Sequence, residues 1–95
     1  METNLVKLNF QKDVTRLAGF PYGESVYEEQ VKDNIDYSTP ITLVFPNHIE
    51  RIASSFVQGF FSEIIRIIGY KDVDERVVVK TGSQVLTDSI FRNLR

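Results

Sequence analysis

Residues 41–68 read ITLVFPNHIERIASSFVQGFFSEIIRII, and within this stretch the apolar pattern changes from that of a strand to that of a helix. Ile41 to Phe45 is a β-branched and aromatic run with no polar alternation, closed by Pro46. That pattern predicts a strand covered on both faces and placed centrally in a sheet. After the loop PNHIERIA, the residues Phe56, Val57, Phe60, Phe61, Ile64, Ile65, Ile67 and Ile68 share one broad face at helical spacing. Ser55, Gln58, Gly59, Ser62, Glu63 and Arg66 fall on the opposite, narrow stripe. The spacing predicts a mostly buried helix over 55–68, stopped by Gly69.

Working outward towards the amino end, Val6, Leu8 and Phe10 alternate with Lys7 and Asn9, which predicts a first strand with one wet face. Between Gln11 and Tyr22 the helical spacing of Val14, Leu17 and Ala18 is soon cut by Gly19, Pro21 and Gly23, and no element is assigned to 11–23. Tyr27, Val31 and Ile35 lie four apart among charges, predicting an amphipathic helix over 24–36, followed by the turn DYSTP. Towards the carboxyl end, YKDVDE (70–75) reads as a charged surface loop and Val77 to Val79 as a buried strand. TGS (81–83) then leads into a last helix through Leu94, with Val85, Leu86, Ile90, Phe91 and Leu94 inward. Strands alternating with single helices imply right-handed crossovers. The expected fold is α/β, one domain over 1–95, with a largely parallel or mixed sheet of about four strands and helices packed on it. No internal repeat, low-complexity tract or linker is read.

The bulk numbers narrow the function classes. Ninety-five residues, 42% hydrophobic and 25% charged, suit a single core and leave no room for separate substrate and cofactor domains. A formal charge of −2 without a basic stripe disfavours nucleic acid as a partner. The absence of cysteine removes disulfide and thiolate chemistry and fits a cytoplasmic protein. The apolar stretch around 56–68 is broken by Gln58, Ser62, Glu63 and Arg66, so no membrane span is expected. METNLVKLNF has no basic region ahead of an apolar run and does not read as a secretory signal.

Few residues offer chemistry. His48 is the only histidine, and a serine nucleophile needs such a base oriented beside it. One histidine without cysteine is a poor start for a zinc site. The carboxylates Glu28, Glu29, Asp72, Asp74 and Glu75 lie in segments read as solvated, and TGS lacks the lysine and second glycine of a phosphate loop. No catalytic residue, metal or cofactor is predicted. What remains is the pair Ser54-Ser55 at the helix start, where a serine oxygen is suited to cap an unpaired amide. A second reading makes Ser55 a phosphorylation site, since the positive end of a helix favours added negative charge. Ser55, Gly59 and Ser62 also form a small-residue stripe along which another element, or a partner, can approach closely.

The strand ITLVF, the loop, Ile52-Ala53-Ser54-Ser55-Phe56 opening an apolar helix, then Gly69, a valine-rich strand and a final helix resemble the STAS-like domain family of unknown function (DUF4325) over roughly residues 19–94. More distantly the stretch is similar to anti-sigma-factor antagonists, which carry Asp-Ser-Ser-Gly at this turn; here Ala53 stands for the Asp and Phe56 for the Gly. By position Ser55 matches their phospho-acceptor. The resemblance implies a non-enzymatic regulatory module whose protein partner is an ATPase-type kinase or an anti-sigma-like factor. The expected docking surface is Asn47, His48, Ser54, Ser55, Gln58, Gly59 and Ser62. The competing reading is a small stand-alone inhibitor or immunity-type protein that blocks a toxin or defence enzyme through an acidic patch of Glu24, Glu28, Glu29, Asp33 and Asp36.

Overall fold

The computed structural model describes residues 4–94; residues 1–3, which begin the segment read as lacking a secretory signal, and Arg95 lie outside it. The elements are β1 (Leu5–Lys7), β2 (Arg16–Leu17), α1 (Phe20–Gln30), β3 (Ile41–Val44), β4 (Arg51–Ile52), α2 (Ser54–Ile68), α3 (Tyr70–Arg76), β5 (Val77–Lys80) and α4 (Gln84–Leu94). They form an α/β fold with two parallel sheets, β1-β3-β5 and β2-β4, in place of the expected single sheet of about four strands. β2 and β4 are two residues each, too short for any hydrophobic period to register.

β3 is central, as its apolar run implied. It is not covered on both faces. The steps from β1 to β3 and from β3 to β5 advance the same way across the sheet, so right-handed crossovers put α1 and α2 on one face. Along that face the register lines up Val6, Leu43 and Val79, all buried. The opposite face lines up Leu5, Thr42 and Val78, with Val78 48% exposed. The free edge beyond β1 is blunted at Asn9, whose N–H donates to Gln30 Oε1 at 2.7 Å while Gln30 Nε2 donates to its carbonyl at 3.0 Å.

Gly19, Pro21 and Gly23, read as breakers, open and shape α1. Gly19 stands at the N-cap with φ 101°, and Pro21 falls in the first turn, where its missing N–H costs nothing. The helix therefore spans 20–30 and ends before Ile35, which lies half-buried in the following turn. Asn4 holds the return to β3: its Nδ2 donates to Asp36 O at 2.7 Å and its Oδ1 accepts from Asp36 N at 2.7 Å. The segment 70–75, expected as a loop, is helical as α3. Gly69 (φ 89°) restarts the chain, Val73 is buried, and Asp72 pairs with Arg76 one turn on at 3.3 Å.

The core centres on Phe60, which packs its ring against Tyr27 (5.5 Å, edge-on), Phe45 (5.8 Å), Phe56 (5.6 Å, stacked) and Phe61 (5.0 Å). Beneath it α1 and α2 meet backbone to backbone. A Cβ on Gly23 would stand 2.7 Å from Phe60 N, and one on Gly59 would stand 3.0 Å from Phe20 Cα and closer still to the Phe20 carbonyl oxygen. Only glycine fits at either position.

Candidate functional site

In a parallel α/β sheet the carboxyl ends of the strands are where loops and helix starts converge, and ligands settle there. Here three connections meet at that edge. The segments after β1 and β3 each run through one strand of the small ribbon, β2 or β4, into α1 or α2, and the segment after β5 enters α4 directly. Arg51 N donates to Thr15 O at 3.2 Å and Ala53 N to Leu17 O at 2.8 Å, fixing the register Arg16 with Arg51 and Leu17 with Ile52. Leu17 and Ile52 turn into the core, so the next residues back, Arg16 and Arg51, stand side by side on the outer surface.

Between this ribbon and the first turns of α4 lies a groove of about 470 Å³. Ala18, Ala53, Val85 and Leu86 supply its apolar lining, and Arg16, Glu50, Arg51, Ser83 and Ser89 its polar border. Val85, expected inward with Leu86 and Ile90, is 78% exposed beside it. Leu86 and Ile90 sit four apart on the buried face of α4, and Val85 is one residue out of phase with them. Ser83 Oγ accepts from Leu86 N at 3.1 Å and caps α4.

The serine pair does not cap α2. Its N-cap is Ala53, whose carbonyl accepts the first helical bond from Val57 N at 3.1 Å, so Ser54 and Ser55 already lie in the first turn. From there the Ser55 oxygen reaches sideways and accepts from Gly19 N at 3.0 Å, joining the start of α2 to the start of α1. Ser54 and Gln58 are exposed on the same end of α2, and Asn47 is exposed in the loop after β3, its backbone against Gly82. His48 Nε2 donates to Gln11 O at 2.9 Å and pins that loop to the segment after β1. Gly59 and Ser62 depart from the expected surface. Gly59 is buried under Phe20, and Ser62 Oγ donates back to the Gly59 carbonyl at 3.0 Å, so the small-residue stripe serves the contact with α1.

The acidic residues are divided. Glu24 and Glu28 share with Glu63 a cleft of about 310 Å³ between α1 and α2, whereas Glu29 turns towards Asn9 and β1. Glu63 is met by Lys32 at 3.8 Å and Arg66 at 3.9 Å. The Asp36 carboxylate accepts from the hydroxyl and the N–H of Ser38, which hold it below the usual aspartate range.

Arg16 and Arg51 are not among the residues expected from sequence to form the site, and Val85 is expected in the core, yet a signal for the arginines is present. Arg16-Leu17-Ala18 precedes Phe20-x-x-Gly23, and Arg51-Ile52-Ala53 precedes Phe56-x-x-Gly59. The two stretches share these residue types, with one residue between Ala18 and Phe20 and two between Ala53 and Phe56. The structure uses the two stretches reciprocally: the arginines pair in register, and each glycine receives the backbone at the other stretch's phenylalanine. No family model, no curated protein and no solved structure matches the chain. Among the described residues no helix is long and apolar enough to cross a membrane.

Proposed function

We propose that this chain is a non-enzymatic, STAS-like regulatory module that binds a protein partner at the edge where α1, α2 and α4 begin. The observation that carries this reading is the groove of about 470 Å³ between the β2-β4 ribbon and α4, with Val85 exposed to 78% beside it. An apolar side chain left that open next to a concave apolar lining is what a partner's anchor residue covers. The contact surface under this reading comprises Ser54, Gln58, Asn47 and the groove itself, without Gly59. Following the family resemblance, the partner is an ATPase-type kinase or an anti-sigma-like factor. Phosphorylation of Ser55 then adds about two negative charges beside the amino ends of α1 and α2 and alters what docks.

The test is affinity purification from the source cell under crosslinking, comparing the native chain with Val85→Asp and Gln58→Arg. A partner lost from both variants supports the reading. Retention of every copurifying protein by both removes it.

A further inference from the structure

The groove also carries information about what kind of segment occupies it, and this inference rests on the docking reading above. Placing two guanidinium groups on register-paired residues of adjacent strands is unfavourable, because like charges directly opposite repel. The fold does not compensate them: among the described residues neither Arg16 nor Arg51 is held in an ion pair, while Glu63 receives two cations and Asp72 one. Nor does either side chain cover the core, since both are exposed and the alternate positions Leu17 and Ile52 do that work. Two forked donors standing together at the rim of an apolar groove form a receptor for carboxylates flanking an apolar side chain.

The geometry points to an acidic peptide segment of the partner as the occupant, with an aliphatic residue lying on Ala18, Ala53 and Val85 and carboxylates engaged by Arg16 and Arg51. The site sets two arginines beside apolar surface, with Glu50 also on the border but in no ion pair with either of them among the described residues. A nucleic-acid strand would need a longer basic track along its phosphates, and the chain as a whole is acidic at −2.

The experiment titrates the isotope-labelled chain with a capped hexapeptide alternating leucine and glutamate, and in parallel with its leucine–glutamine counterpart and with a short oligothymidylate. The expected result is saturable shifts of the amides in β2, β4 and the first turns of α4 with the glutamate peptide. Binding should weaken by about tenfold with the glutamine peptide and, equally, in the Arg16→Gln/Arg51→Gln variant, the size expected when a charge-assisted contact is lost. The variant's unshifted core resonances report that it is folded. Absence of shifts, equal binding of the two peptides, or tighter binding of the oligothymidylate at the same amides would each overturn the proposal. The two readings separate in the purification experiment. A partner lost from Val85→Asp but kept by Arg16→Gln/Arg51→Gln retains the docking site and discards the acidic occupant; a partner kept by all variants discards both.

Discussion

The two flanks of α2 differ in what they ask of their residues. On the side facing α1 the helix gives up side chains: Gly59 and Gly23 let the two backbones touch, Ser62 folds its hydroxyl back on the Gly59 carbonyl, and the cleft that remains there is lined by Glu24, Glu28 and Glu63. At its amino end, beside β2, β4 and α4, the helix borders a groove edged by Arg16, Arg51 and Glu50 and an exposed valine. The first region shows how a small chain tightens its core, by matched glycines set three residues after matched phenylalanines. The second shows the same two stretches turned outward, where pairing their arginines adds nothing to the core. Under the proposed reading, the docking surface lies where the pairing of these residues is costly without being structural.

Phe60→Ala should give the largest loss, about 4 kcal/mol, because it removes a fully buried ring that four other rings contact. Gly59→Ala should cost about 3 kcal/mol, at the upper end for overpacking, because the methyl group meets backbone that cannot rotate away. Gly23→Ala should cost about as much. If the two glycines serve one interface, the double variant loses less than the sum, since spreading the helices once relieves both clashes. Urea denaturation of the four proteins measures this, and strict additivity would deny the reciprocal contact.

A smaller effect follows from Tyr27. Burial, and then the hydrogen bond to Tyr37 at 2.6 Å, push its hydroxyl well above the usual tyrosine range. The unfolded chain therefore releases this proton from about pH 10 upward while the folded chain keeps it, so the contribution is complete below that pH and declines above it. Tyr27→Phe should cost about 1 kcal/mol near neutrality and make the alkaline decline shallower. An unchanged slope of stability against pH from 9 to 11.5 would contradict the burial of this group.

Much of the fold was legible because period carries it. ITLVF announced a central strand, and the helices over 54–68 and 84–94 followed from their apolar spacing to within a residue. What was misread lay where spacing is silent. Two-residue strands have no period, Gly19 and Pro21 look like breakers until their place at a helix start is known, and YKDVDE hides one buried valine among charges. The serine pair was correctly placed at the start of α2, but its capping role failed because the cap position is set by the Ala53 backbone. The arginine pair escaped notice because charged residues far apart in sequence acquire meaning only through register, although the shared Arg-aliphatic-Ala ahead of Phe-x-x-Gly offered a way to see it.

The smallest expected change is also the most discriminating. Arg16→Gln, Arg51→Gln and Val85→Asp should each alter stability by no more than about 0.5 kcal/mol, as for surface positions that contact nothing essential. The arginine variants should lie on the stabilising side, because each removes one of two like charges held in register. Leu17→Ala, one residue along the same strand but 1% exposed, should cost at least about 2 kcal/mol. Thermal denaturation of these four variants tests whether the ribbon has one face for the fold and one for a partner. A loss above about 1 kcal/mol from either arginine substitution would mean that the outer face also holds the ribbon together. Its paired arginines would then serve the fold and would not need a ligand to account for them.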